Sequence, residues 1–376
     1  MKKCIEVLRK NYYICPKPYK MANITINHIT QSRISEVDFE HLGFGKVFSD
    51  HMFVSDYKDG VWQNHRIVPV EKMSIHPANM ALHYGQSIFE GLKASMGKDG
   101  TPILFRADKN IERLNLSALR MCMPEFPFEV LMEGMKKLVL IEKAWIPTTP
   151  GSSLYLRPFM FATDEYLGVA ASTTYRLVVL ASPSGVYYSK PVKLLAEDHY
   201  VRAVKGGVGE AKTAGNYAAS LYPAKLARER GFDQILWLDA IYNKYVQEVG
   251  TMNIFFVLKD KVITPAEDGA ILKGVTRNSI IQILKSRGIE VEEKLISIDE
   301  VMAEYNEGNL VEMFGAGTAA VVTNVSSLTY QDNTITFEED AWSLSKSLKD
   351  TINQLRTGEI EDTFHFTIRV EEALVI

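Results

Sequence analysis

The chain has 376 residues, 46% hydrophobic and 23% charged, with 42 basic against 46 acidic side chains and a formal charge of -4. That length exceeds one ordinary core and points to two domains able to enclose a cofactor. The composition offers no basic stripe to neutralise a phosphodiester backbone and no apolar run near the roughly 18 residues that cross a bilayer, so neither nucleic acid nor a membrane is expected as a partner.

The first twenty residues, "MKKCIEVLRKNYYICPKPYK", lack a continuous apolar stretch because Glu6, Arg9 and Lys10 interrupt it, so they read as a leader extension rather than a signal peptide. Cys4, Cys15 and Cys122 form neither a C-x-x-C pair nor a disulfide framework, which suits a reducing, cytoplasmic setting. From about residue 42 to 190, strand-like runs ("KVFSDHMFV", "TPILFR", "SSLYLRPFMF", "YRLVVLAS") alternate with a helix predicted over Lys109 to Met121. The turn-rich stretch "SPSGVYYSKP", residues 182 to 191, is a candidate linker. Beyond it, a helix is expected over 218 to 230, stopped by Gly231. Strands are expected at "DQILWLD" and, as one longer element, at "YVQEVGTMNIFFVL". Thr276 is a plausible N-cap for "TRNSIIQILKSRG", and Ser297 with Glu300 has capping-box spacing. No metal-binding cluster stands out.

The stretch "GGVGEAKTAGNY", residues 206 to 217, supports two incompatible readings. It misses a phosphate-binding G-x-x-x-x-G-K-[ST] loop by one residue, and "ILWLD" imitates the acidic strand that accompanies such loops. However, Ala211 stands where the wrapped backbone needs glycine, and the preceding "AEDHYVRAV" is too polar for a buried feeding strand. The second reading makes Lys212 a nucleophile holding an aldehyde cofactor, with Ala211, Ala214 and Gly215 leaving room for a flat ring and Tyr217 offering a hydroxyl to its phenolic oxygen. Taken alone, Lys212 also fits an exposed loop lysine.

Its company favours the aldehyde. Pyridoxal phosphate needs a carboxylate at its ring nitrogen, and Glu248 opens a run of β-branched and aromatic residues where a charge is costly without a partner. Val275 and Thr276 begin a helix whose free amides suit a dianion, Thr318 lies in the glycine turn "FGAGTAA", and Arg113 has a guanidinium fork.

Together, "FGKVFSDHM", "HYGQSIFEGLKA", "LFRADKNIERL", "LYLRPFMF", "GGVGEAKTAGNYAAS", "QEVGTMNIFF", "GVTRNSI" and "FGAGTAA" resemble, in order from about Phe44 to Val325, the branched-chain amino-acid aminotransferases of the fold type IV pyridoxal-phosphate enzymes. The resemblance implies an α+β two-domain fold: a small N-terminal α/β domain (21–186) after the leader (1–20), a linker (187–195), and a larger pseudo-barrel domain (196–376). It implies pyridoxal 5'-phosphate on catalytic Lys212, with Glu248 at the ring nitrogen, Tyr217 at the phenolic oxygen, and Arg113, Val275, Thr276 and Thr318 at the phosphate. The implied substrates are leucine, isoleucine or valine, exchanging an amino group with 2-oxoglutarate to give glutamate. Phe44, Tyr84, Phe89, Tyr155, Tyr187 and Thr251 would line the substrate pocket, and the backbone at Thr318 and Ala319 would hold the α-carboxylate. Arg157 matches the residue that receives the side-chain carboxylate of glutamate. Leu167 and Val169 match a loop that enters the partner subunit's pocket, implying a homodimer or larger homo-oligomer. A C-x-x-C redox pair found in some relatives is replaced here by Ala320 and Thr323.

Overall fold

The computed structural model describes residues 23–371 apart from Ser189, so the leader, with Cys4 and Cys15, lies outside the described residues. The N-terminal half supplies strands β1 (Thr25–Ile26), β2 (His51–Lys58), β3 (Val61–Pro69), β4 (Ser87–Phe89), β5 (Leu92–Met96), β6 (Pro102–Phe105), β7 (Ser153–Ala162) and β8 (Tyr175–Ser184). Its helices are α1 (Met80–Tyr84), α2 (Ala107–Arg120) and α3 (Phe128–Ile141). The strands form a mixed sheet ordered β1-β3-β2-β8-β7-β5-β6, with β4 on β7. Asp59 and Gly60 both take positive φ between β2 and β3, the backbone that a two-residue hairpin turn requires. The helices lie close on this sheet: a Cβ on Gly134 of α3 would stand 2.7 Å from the Phe53 ring. Phe53, Leu114, Leu131 and Met135 fill the layer between them.

The second half supplies β9 (Val192–Glu197), β10 (Gln234–Leu238), β11 (Val246–Val249), β12 (Met252–Leu258), β13 (Val262–Pro265), β14 (Val291–Lys294), β15 (Leu310–Gly317), β16 (Val321–Tyr330) and β17 (Asn333–Thr336). Its helices are α4 (Ala214–Glu229), α5 (Val275–Ser286), α6 (Ile298–Asn306) and α7 (Ser343–Thr357). Because β11 pairs with both β10 and β12, the path β9-β10-β11-β12-β15-β16 closes on itself as a six-stranded barrel. A strand packed on both faces has no need to alternate, and all seven residues of β12 are buried. The last strand, β18 (Thr367–Arg369), pairs antiparallel with β6, so the chain end returns to the first sheet.

Several local expectations change. "YVQEVGTMNIFFVL" is a hairpin rather than one strand, because Gly250 at φ +52 turns the chain between β11 and β12. Helix α5 is entered from Gly274, one residue before Val275, so Thr276 lies within the first turn and is not the N-cap. Helix α4 begins at Ala214, earlier than expected. At α6 the Ser297 hydroxyl accepts the Glu300 amide at 3.1 Å, as the capping-box spacing implied.

Candidate functional site

A cleft of about 440 Å³ opens between the two halves. Lys212 is fixed in it through its peptide. Its N–H donates to the Ser117 hydroxyl of α2 at 2.9 Å, and its carbonyl accepts the Phe89 amide at 3.0 Å. Thr213 extends the clamp by donating from its hydroxyl to Ser87 O at 2.8 Å. The amine is therefore aimed rather than loose: Nζ donates to the Tyr217 hydroxyl at 2.7 Å and lies 4.9 Å from the Phe89 ring centroid. The nucleotide-loop alternative fails on geometry, since β9 ends at Glu197 and does not feed into Lys212, as a buried strand must in such a loop.

Around the amine the cleft collects thirteen of the residues singled out by sequence. One end holds Arg113, Val275, Thr276, Thr318 and Ala319, with Lys212, Tyr217 and Thr251 at the middle. The other end is aromatic: Phe44, Phe89, Tyr155 and Tyr187, with Arg157 among them. Phe44 meets both Tyr155 and Tyr187 edge-to-face at 4.8 Å, a favoured ring geometry. Arg157 lies 4.7 Å over the Phe89 ring and donates to the Tyr155 hydroxyl at 3.0 Å. Gly91 is required beneath them, because a Cβ there would stand 1.9 Å from the Tyr155 hydroxyl.

The remaining four residues do not line the cleft. Tyr84 is 43% exposed and donates from its hydroxyl to Leu167 O, while Leu167 and Val169 are 60% and 87% exposed. Tyr84 thus travels with the outward loop that carries Leu167 and Val169. Glu248 is buried one layer behind the cleft wall, beside a cavity of about 10 Å³ that shares Tyr217, Thr251 and Leu272 with the main cleft. Its Oε1 accepts the Leu272 amide and its Oε2 lies 3.3 Å from Arg202 Nε. Burial pushes the Glu248 carboxyl above its usual range, opposed first by the Arg202 charge and then by the Leu272 amide.

The site fits a phosphorylated aldehyde cofactor. No side chain caps α5, so its first amides are available where Val275 and Thr276 reach the cleft, and free amides with the positive dipole end favour an anion. Gly274 permits this approach, since a Cβ there would stand 1.9 Å from Asn253 Oδ1. Arg113 grips Glu90 with Nε at 2.7 Å and Nη2 at 2.9 Å, and Nη1 donates to Lys273 O at 2.9 Å. Those bonds use three of the five guanidinium N–H groups. Burial alone would lower its pKa, but the Glu90 carboxylate outweighs this and holds it above its ordinary value.

Sequence reasoning missed Glu90, Arg202 and Ser117. Glu90 carried a usable signal, an acidic residue inside the apolar "IFEGL", which a buried position tolerates only with a cation beside it.

A model of the class IV aminotransferases matches residues 87–328. Branched-chain-amino-acid aminotransferase 2 of Bacillus subtilis (strain 168) is 49% identical over 347 residues, covering 91% of this chain and 96% of that one. Branched-chain-amino-acid transaminase 1 of the same strain is 50% identical, with 89% and 95% covered. Among solved structures, the branched-chain amino acid aminotransferase of Escherichia coli superposes with a TM-score of 0.70 at 28% identity, covering 86% of this chain and 99% of that one. The branched-chain amino acid aminotransferase of Thermoproteus uzoniensis, solved with norvaline, gives 0.72 at 25%, with 85% and 100% covered. The barrel, the clamped lysine and these matches agree: the chain belongs to the class IV aminotransferases, a pyridoxal-phosphate-dependent family.

Proposed function

We infer that the protein is a branched-chain amino-acid aminotransferase, moving an amino group between leucine, isoleucine or valine and 2-oxoglutarate in two half-reactions at one cleft. The observation that carries this reading is Arg157 set among aromatic faces a short distance from Lys212: a single pocket must take an apolar side chain in one half-reaction and a carboxylate in the other. Phe89, Tyr155, Phe44 and Tyr187 cover the hydrocarbon, and Arg157, which lines the cleft and pairs with no carboxylate among the described residues, is available to the carboxylate of glutamate. The names of the relatives support the same substrate class.

When bound, pyridoxal phosphate supplies an electron sink for the pair released as the substrate's Cα–H bond breaks. Lys212 Nζ takes and returns that proton, with Tyr217 OH holding the amine in line. Glu248, held against Arg202 and sharing the Leu272 and Thr251 wall with the cleft, would be the carboxylate for the ring nitrogen. The α5 amides with Arg113 and Thr318 suit the phosphate, and the turn at Thr318 and Ala319 suits the α-carboxylate. Lys93 Nζ donates to Ala319 O at 2.8 Å and steadies that turn.

The same reading makes the protein a cytoplasmic homodimer. The exposed Leu167 and Val169, with Tyr84 bonded to their loop, are apolar groups unspent on their own chain and suited to completing the cleft of a second copy. The decisive experiment is Lys212→Ala. We expect leucine:2-oxoglutarate transamination to fall by roughly 10⁴-fold or more, the scale seen when a covalent nucleophile is removed; near-normal turnover would overturn the assignment.

A further inference from the structure

Behind the phosphate end of the cleft lies a small cavity of about 20 Å³, lined by Lys93 of β5, Asn110 of α2 and Arg356 of α7 on one side and by Val275, Thr276 and Thr318 on the other. Those last three residues also line the main cleft, so the two spaces share a wall. Both cations are buried, Lys93 at 6% and Arg356 at 3% exposure. Among the described residues neither has a carboxylate within ion-pair distance. Arg356 makes only neutral bonds, to Ser95 Oγ at 3.1 Å and Asn353 Oδ1 at 3.2 Å, and its Nε has no partner. We propose that Arg356, with Lys93 beside it, is a buried cationic backing that makes this end of the cleft select a phosphorylated ligand over its unphosphorylated analogue, without touching the phosphate.

Two like charges placed together in the interior without a counter-ion destabilise the fold. Burial, with Arg356 and Lys349 alongside, pulls the Lys93 ammonium well below its usual value, and burial brings Arg356 down to about 10. A compensating negative charge is therefore called for, and the cavity is not where it binds. Asn110 Nδ2 donates to Arg106 O at 2.9 Å, which fixes the amide and leaves Oδ1, a second unpartnered buried atom, as an acceptor in the lining. An anion would be repelled by that oxygen. The negative charge belongs across the wall, where the uncapped α5 terminus opens on the main cleft. Through a low-dielectric wall that excludes salt, such cations keep most of their reach.

This rests on the phosphate end proposed above, and the test separates the two. Arg356→Met and Arg356→Gln are prepared as full-length apoprotein beside wild type. Dissociation constants are measured for pyridoxal 5'-phosphate and for pyridoxal, with inorganic phosphate as competitor, and apoprotein melting is followed. We expect pyridoxal phosphate to bind roughly tenfold more weakly, pyridoxal to be unchanged, inorganic phosphate to compete less well, and the apoprotein to melt no lower than wild type. Arg356→Lys should restore most of the preference. Equal weakening of both aldehydes together with a lower melting temperature means that Arg356 merely holds the fold and overturns the proposal. Thr276→Val is the control: if it loses the phosphate preference while both Arg356 variants keep it, the backing is wrong and the phosphate end stands. If neither position alters the preference, the phosphate end and the backing fall together.

Discussion

At the Lys212 end of the cleft each buried carboxylate has its arginine: Arg113 holds Glu90 through two bonds and Arg202 lies against Glu248. At the aromatic end Arg157 has no carboxylate among the described residues, only the face of Phe89, the Tyr155 hydroxyl and an unpartnered Nε. Charges that must stay put through catalysis are neutralised in place, whereas the cation that must meet a carboxylate in one half-reaction and release it in the other is held by weak, neutral contacts. The aromatic end thereby keeps a charge available without committing it.

The largest way to break this contrast is at the committed end. Arg202→Met leaves Glu248 buried and unpaired, and removal of one partner of a buried pair costs about 3–5 kcal/mol. Chemical denaturation of the apoprotein should show that loss, and the double variant Arg202→Met/Glu248→Gln should recover much of it. A double variant as unstable as the single one would mean that Arg202 acts by packing and not by pairing. The uncommitted end responds differently. Arg157→Met should lower kcat/KM for glutamate by roughly a hundredfold, in line with 2–5 kcal/mol for a desolvated charge pair, and should leave leucine within a few-fold, since methionine keeps an apolar wall. Equal losses for the two amino acids would remove the selective role of Arg157.

The sequence made some of this legible and hid the rest for identifiable reasons. Lys212, Tyr217, Arg113, Thr276 and Thr318 lie in motifs long enough to be recognised in order, and the structure brings all five to one cleft. The Ser297 cap and the stop at Gly231 were readable because they are local hydrogen-bonding and φ requirements. Barrel closure was not legible, because it depends on β11 pairing with two strands across a turn at Gly250 that interrupts one continuous apolar run. Nor were the partners of Glu90 and Glu248: Arg113 and Arg202 lie 23 and 46 residues away in sequence, so only the fold reveals the pairing. The direction of Tyr84 was not legible either, because a tyrosine in a motif does not say which way its helix faces; α1 turns it outward onto the loop of Leu167.

The smallest expected effect concerns the turn that carries Thr318 and Ala319. Val321 closes it at φ +63, a conformation that a β-branched residue adopts only under constraint. Val321→Gly should relieve that strain, offset in part by the lost packing of a buried side chain, for a net change within about 1 kcal/mol in thermal melting. The more telling readout is a looser turn and a raised KM for both amino acids. A KM that rises for glutamate alone would transfer part of the selectivity from Arg157 to the turn.

The central claim, one cleft for two unlike side chains with Arg157 serving only one of them, is tested most directly by following the visible absorption band of the bound cofactor in single half-reactions. In wild type, L-leucine and L-glutamate should each discharge the band, and 2-oxoglutarate should restore it. In Arg157→Met, L-leucine should still discharge it at close to the wild-type rate while L-glutamate fails to do so over the same interval. Discharge by both amino acids at wild-type rates in that variant would contradict the account.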